Sequence, residues 1–156
     1  MPAPTTSRYE TTRATLVSAL EAITPANNYR STVAKVETRL LDPNAITSFP
    51  TLSVLFPVET FKSIDTTKTT FESKIHVLIL AYCRGTQVDA LIQDVRRVIV
   101  ENSLKYVNDA NNKWIIEIAR DMAGLVISRA DLIRLNDVVM LGFTFDIRLM
   151  SQTSTF

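Results

Sequence analysis

The chain has 156 residues, and its apolar share of 46% is typical of globular proteins. This length suits one domain that buries roughly two-thirds of its unfolded surface. Proteins that bind nucleic-acid phosphates usually carry an excess of basic residues. The net charge of +1 does not indicate this class of protein. No apolar run approaches the ~18 residues of a transmembrane helix, and the polar segment Met1–Glu10 does not resemble a secretory signal. The single cysteine fits a reducing compartment.

The first part of the chain predicts a helix and two strands after a polar arm at residues 1–6. Apolar residues at helical spacing predict a helix over Ser7–Ile23, which ends before a proline. Weak alternation over Ser31–Leu40 indicates a strand near a sheet edge. A second strand is predicted over Phe49–Pro57, where prolines confine it. The polar stretch Val58–Thr69 is interpreted as the loop of a hairpin.

The strongest local pattern is the alternation from Thr70 to Cys83, which predicts one long strand. It would extend roughly 40 Å, about twice the common length, so its hairpin is expected to overhang the domain as an arm. From Val77 to Tyr82 both faces of this strand are apolar. A cover is therefore expected on each face, supplied on one side by helices and on the other by segment Arg120–Asn136 or a neighbouring subunit.

The rest of the chain predicts a second helix over Gln87–Asn102, with Thr86 and Asp89 as a capping box. Strands are predicted over Trp114–Ala119 and Val138–Met150, and the latter is apolar on one face, as in an antiparallel sheet with a solvated side. Segment Arg120–Asn136 is ambiguous: a strand around residues 125–127 and a short helix over residues 130–135 both fit.

These elements predict a single α+β domain at residues 7–150, followed by a polar tail at residues 151–156. We expect a mostly antiparallel, twisted sheet of four to five strands with two main helices packed on one face.

The side chains that usually carry chemistry are too few and too far apart for a catalytic centre. His76 and Cys83, the one histidine and the one cysteine, lie an odd number of residues apart in one strand, about 23 Å from each other and on opposite faces. Asp89 and Asp94 do not share a helix face, so both are expected to be solvated, as is the Arg96-Arg97 pair. We therefore expect no catalytic residue, no metal site and no cofactor. Trp114 is interpreted as a core or interface anchor.

Several strings in this order of elements resemble a known family. They are Phe49-Pro50-Thr51-Leu52-Ser53-Val54, the helical run from Leu91 to Ile99, and Phe143 to Leu149 in the last strand. The chain resembles the tail terminator proteins of long-tailed bacteriophages over roughly Ser7 to Met150.

The resemblance implies a virion structural protein that is not an enzyme. It implies a homohexameric ring that caps the tail tube, stops its polymerisation and forms the surface for head or neck attachment. The implied partners are the tail tube protein and a head or neck connector protein, with DNA passing through the lumen without sequence-specific binding and no membrane involved. The ring would assemble in the host cytoplasm and lie at the head-proximal end of the tail. A neck or head–tail connector protein of similar fold, or a small nucleic-acid-binding domain, are the alternatives.

The hairpin arm carries the candidate contacts to a neighbouring subunit or to the tube. They are Phe61, Lys62, Asp65, Lys68 and Glu72. Phe61 would be the buried anchor, because an aromatic ring in a polar loop requires a pocket. The alternative interpretation is a solvated loop without a partner.

Overall fold

Six strands and two helices make up the part of the chain that a computed structural model describes. The structure describes residues 8–63, 66, 70–107, 114–117, 124–132, 135 and 137–152. In chain order, the elements are α1 (Arg8–Glu21), β1 (Lys35–Glu37), β2 (Thr51–Ser63), β3 (Thr70–Arg84), α2 (Val88–Val107), β4 (Trp114–Glu117), β5 (Val126–Asp131) and β6 (Val138–Gln152).

The strands form one sheet in the order β1-β2-β3-β6-β4, with β5 also paired to β6. The pair β1–β2 is parallel, and the other strand pairs are antiparallel. The predicted α+β class and the mostly antiparallel sheet are confirmed. β5, which lies in the segment that the sequence left ambiguous, brings the sheet to six strands, one more than the upper predicted number.

One face of the sheet carries the apolar core and both helices. The core residues of β3 and β6 are the odd-numbered ones, as the alternation predicts, and they pack with one stripe from each helix. Representative members are Leu16, Leu20, Ile75, Val77, Ile79, Leu91, Val95, Ile99, Leu141, Phe143 and Phe145. The prediction that two helices pack on one face is confirmed. We call this face the helix side and the opposite one the open face.

Strand β2 is longer than the sequence predicts. Residues Val58–Ser63 continue the strand and pair with Phe71–His76 of β3, so the prediction that this stretch is loop was wrong. This stretch of β2 is exposed on both faces, so its side chains can be polar. A strand of this composition is stable when its neighbours on the adjacent strand stabilise it. β1, in contrast, is limited to Lys35–Glu37, far shorter than the predicted strand.

The start of α2 uses a different cap from the predicted one. A 3₁₀ turn over Gly85–Gln87 leads into the helix, and Gln87 Oε1 accepts a hydrogen bond of 2.8 Å from the backbone N–H of Arg84. This bond replaces the Thr86–Asp89 capping box as the feature that fixes the entry of the chain. The helix extends to Val107, beyond the predicted end at Asn102.

Of segment Arg120–Asn136, the described residues 126–131 form strand β5 within the sheet and do not cover its open face. β5 pairs with β6 from Val126 opposite Thr144 to Asp131 opposite Val139, so the helix predicted from residue 130 was wrong for its first two residues. At the end of the sheet near β1, the open face is covered instead by the connection between β1 and β2. Ser53 Oγ there donates a hydrogen bond to the carbonyl oxygen of Arg39, and Ser53 and Tyr82 are buried.

Candidate interaction surface

Strand β2 extends past the apolar core along the margin of the sheet, paired to β3. We define the arm as Val58–Ser63 of β2 and Phe71–His76 of β3, which pair from Val58 opposite His76 to Ser63 opposite Phe71. The core cluster reaches Ile75, and Val58–Ser63 are all exposed. The arm is therefore one margin of the sheet, where the outer strand β2 is exposed and β3 is paired on its other side to β6.

The arm presents two aromatic rings on the helix side. Phe61 and Phe71 stack with ring centroids 4.9 Å apart and an interplanar angle of 9°. Phe61 is nevertheless 48% exposed. The sequence placed Phe61 in a polar loop, whereas it lies within β2 opposite Ser73. Stacking orients the ring and leaves about half of its surface available for a partner.

A β-bulge determines which face the arm's side chains share. The register of β2 against β3 shifts between Leu55 and Val58, where β2 holds one residue more than β3. Before the bulge Leu52 and Val54 face the core, and after it Phe61 faces the same side. A bulge of this kind bends the strand and increases its twist, so it separates the arm from the core part of β2.

Charged side chains form a ladder across the open face of the arm. Arg148 Nε lies 3.1 Å from Glu72 Oε1, and Lys74 Nζ lies 3.7 Å from Asp146 Oδ2. These diagonal pairs neutralise the two cations Lys74 and Arg148, which the register places directly opposite each other. Exposed pairs of this type contribute little stability each, but an ordered ladder fixes which charges a partner meets.

Of the five predicted contact residues, the structure describes three, Phe61, Lys62 and Glu72. Phe61 and Glu72 belong to the arm and make the ring stack and the ion pair described above. Lys62 lies in β2 directly opposite Glu72. Asp65 and Lys68 lie outside the described residues. The structure thus brings Lys62 and Glu72 together on the open face and puts Phe61 on the opposite face.

His76 and Cys83 lie on opposite faces of β3, as the sequence predicts. His76 Nδ1 lies 3.0 Å from Asp146 Oδ1 on the open face. Cys83 is buried in the core, and burial raises the pKa of its thiol to about 11. The thiol is therefore protonated at neutral pH, which removes its nucleophilic form. Across the described ranges, His, Cys, Asp and Glu side chains form no group of three or more that could hold a metal ion.

Asp94 is a structurally central residue that the sequence analysis missed. Its carboxylate is buried in α2, not solvated, and accepts hydrogen bonds from the backbone N–H groups of Arg30 and Ser31. A signal was present in the sequence, because Asp94 lies within the apolar stripe that Leu91 and Val98 define. An acidic residue on a buried helix stripe requires fixed donors, which loop N–H groups supply.

Arg97 strengthens the same junction. Its guanidinium lies 4.6 Å from the centroid of the Tyr29 ring and donates a 2.6 Å hydrogen bond to the carbonyl oxygen of Asn28. Arg97 Nε also donates to Glu101 Oε1 at 2.7 Å. Arg96 is exposed, as predicted for the arginine pair. The side chain of Arg97 is 41% exposed and in addition makes the contacts to Tyr29, Asn28 and Glu101, which the sequence did not predict.

The comparisons with protein-family models and with curated sequences return no match for this chain. Of the helices that the structure describes, neither has the length and apolar character to cross a membrane.

Proposed function

We propose that this chain is a structural subunit of a virus tail, a ring-forming protein that caps the tail tube as phage tail terminators do. In this proposal six copies form the ring, which stops tube polymerisation and provides the surface for a head or neck connector. DNA passes through the lumen without sequence-specific contacts, and the protein is located at the head-proximal end of the tail.

The observation that carries the proposal is the arm. At one margin of the helix-covered sheet, the arm carries a half-exposed phenylalanine stack on one side, and on the other side the charge ladder that β3 shares with β6. Half-exposed aromatic side chains are typical anchors of protein interfaces. The arm therefore suits attachment to other protein subunits.

The environments of the reactive side chains support a structural role. The thiol of Cys83 is buried with a raised pKa on the helix side. The ring of His76, seven residues earlier in β3 and on the open face, pairs with Asp146. Both side chains thus contribute to packing or to the charge ladder. The proposal also rests on the resemblance to tail terminators in the strands and in α2.

The test measures the number of copies in the assembled state. Six copies of the 17.5 kDa chain give a ring of about 105 kDa, which native mass spectrometry detects and negative-stain microscopy images. The number of copies is measured in two samples, the free protein at high concentration and the protein bound to tail tubes of the same virus. The second sample is needed because the tube end can template the ring. A ring at one end of each tube supports the proposal. A chain that caps tubes as a single copy, or that leaves tube growth unchanged, refutes it.

A further inference from the structure

We infer that neighbouring copies of this chain join edge to edge, with Val58–Ser63 of β2 in one copy pairing antiparallel to β5, Val126–Asp131, in the next. The inference rests on the proposed ring and specifies its subunit interface. It is carried by the two margins of the sheet and by the match between their side chains.

The two strand segments lie at opposite margins of the sheet. β1 pairs only with Thr51–Ser53 of β2. Among the described residues, no strand pairs with the outer edge of β2 at the arm. β5 is paired to β6 on its inner side and lies at the other margin. Val58 and Val126 are 58% and 53% exposed. Exposed apolar side chains on edge strands promote aggregation unless another chain covers them.

The segments have matching lengths and a defined limit. The regular part of β2 after the bulge has the same number of residues as β5, from Val58 to Ser63 and from Val126 to Asp131. Pro57, at the bulge, has no backbone N–H to donate to an added strand. Regular pairing with an incoming strand therefore ends at Val58, and in the register described below Asp131 lies past this limit.

The directions of the strands select antiparallel pairing. β2 is antiparallel to β3, β3 to β6, and β6 to β5. β2 and β5 consequently run in opposite directions within one copy. When rotation about an axis repeats the sheet, β5 of one copy meets β2 of the next in an antiparallel arrangement, and head-to-tail contacts of this kind close into a ring.

One register matches the side chains of both faces. On the helix side it pairs Glu59 with Arg129 and Phe61 with Ile127. On the open face it pairs Val58 with Ala130, Thr60 with Ser128, and Lys62 with Val126. The face of each residue follows from the observed pairing with β3 and β6. Opposite charges, an aromatic–aliphatic pair and two hydroxyl groups are the cross-strand combinations that stabilise antiparallel sheets.

The neighbouring registers are unfavourable. A slip must be by two residues, because a slip of one exchanges the faces. A slip in one direction puts the Glu59 carboxylate opposite Ile127, where it loses water without gaining a cation. A slip in the other direction puts Glu59 opposite Asp131, and like charges directly opposite are destabilising.

The inferred register is also compatible with a closed ring. Val58 lies opposite His76 of β3. Ala130 lies opposite Met140 of β6, which in turn lies opposite Tyr82 of β3, six residues from His76. Joining them offsets successive copies by about 20 Å along the strands, while β2, β3, β6 and β5 span about 19 Å across. Closed sheets take up such an offset by tilting their strands, here by about 45°, at the upper end of the usual range.

Charge exchange tests the central ion pair. Glu59→Arg and Arg129→Glu should each weaken assembly at least fivefold, measured as the concentration at which half of the protein is in the ring. The double variant should recover a substantial part of this loss, because the pair is restored with its charges reversed. Recovery stays incomplete because the reversed charge at position 129 then lies beside Asp131, whose carboxylate is 3.2 Å from Arg129 Nε in the native chain. Additive losses in the double variant overturn the inference, provided that circular dichroism confirms folded subunits.

Disulfide trapping tests the register. Thr60→Cys combined with Ser128→Cys should give covalent oligomers up to a closed ring under mild oxidation. The matched control combines Thr60→Cys with Ala130→Cys, which lie on the same face but two residues out of register, and it should give few. Native Cys83 is buried and does not compete. Rings that form without either effect overturn this interface and leave the proposed function standing. A chain that never self-associates, free or on tubes, overturns both.

Discussion

The carboxylate of Asp94 accepts a 2.6 Å hydrogen bond from the backbone N–H of Ser31, 63 residues earlier in the chain. The same oxygen accepts a 3.0 Å bond from the N–H of Arg30. Charge-assisted bonds to two consecutive N–H groups fix the loop after α1 against the middle of α2. This contact joins the two helices of one layer through a buried polar group in addition to apolar packing.

We expect Asp94→Ala to destabilise the subunit by about 3 kcal/mol, because it leaves two N–H groups without their charged acceptor. Asp94→Asn keeps one acceptor oxygen and should cost about 1–2 kcal/mol. Urea denaturation measures both. Asp89→Asn is the control on the same helix, where the side chain is exposed in the first turn, and it should cost less than about 1 kcal/mol. Equal losses at both positions would contradict the assigned role of Asp94.

We expect Phe61→Ala to reduce association far more than folding. Loss of the stack with Phe71 should cost the free subunit at most about 1.5 kcal/mol. Ring or tube association should weaken by about 1–3 kcal/mol, the range for an interface anchor. Sedimentation velocity and thermal unfolding separate the two quantities.

Phe143→Ala is the matched control for that variant, because Phe143 is fully buried in the core. Its truncation should cost about 3–5 kcal/mol of folding stability. If Phe61→Ala instead unfolds the subunit and spares assembly, Phe61 belongs to the core and the arm is not an interface.

Cys83 should make the stability of the subunit depend on pH in the alkaline range. Its pKa rises from 9.0 to about 11 on burial, so the folded state holds the thiol proton more tightly than the unfolded chain does. The resulting stabilisation is present below about pH 9 and is lost as pH rises to about 11. Cys83→Ala should flatten that part of the stability curve. An unchanged slope in the variant would assign the pH dependence to other groups.

Metal content tests the expected absence of a metal site. Protein purified without added metal should contain much less than one zinc per chain by elemental analysis. Stoichiometric zinc that survives dialysis would contradict this expectation and would require ligands that the sequence analysis did not identify.

The elements that the sequence predicts best are those with an uninterrupted two-residue period. β3 and β6 were predicted to within a few residues, and their core faces from Val77 to Cys83 and from Val139 to Ile147 are as the alternation indicates. Burial on one face imposes this pattern directly on the sequence, which explains the accuracy. The separation of His76 and Cys83 follows from the same period.

Other features depend on contacts between distant residues, which a local pattern cannot contain. Val58–Ser63 has the composition of a loop and is strand because Phe71–His76 pairs with it. Asp94 is buried because Arg30 and Ser31 are brought to it by the fold. Of the candidate site, the sequence identified the arm and Phe61. For β5 it indicated a strand only around residues 125–127 and left a short helix from residue 130 open, because so short an alternation does not fix the element type.

The extra residue of β2 has a consequence for how the arm can vary. If β2 continued without the bulge, Phe61 would lie opposite Glu72, on the open face, and its ring would be separated from Phe71 by the sheet. The stacking of the two rings therefore depends on the extra residue in the bulge. At ~3.4 Å per residue, the bulge lies about 10 Å along β2 from Phe61. Substitutions at Phe56 or Pro57 that keep this count leave the faces of the arm in place, whereas a straightened strand would turn its aromatic side towards the charge ladder.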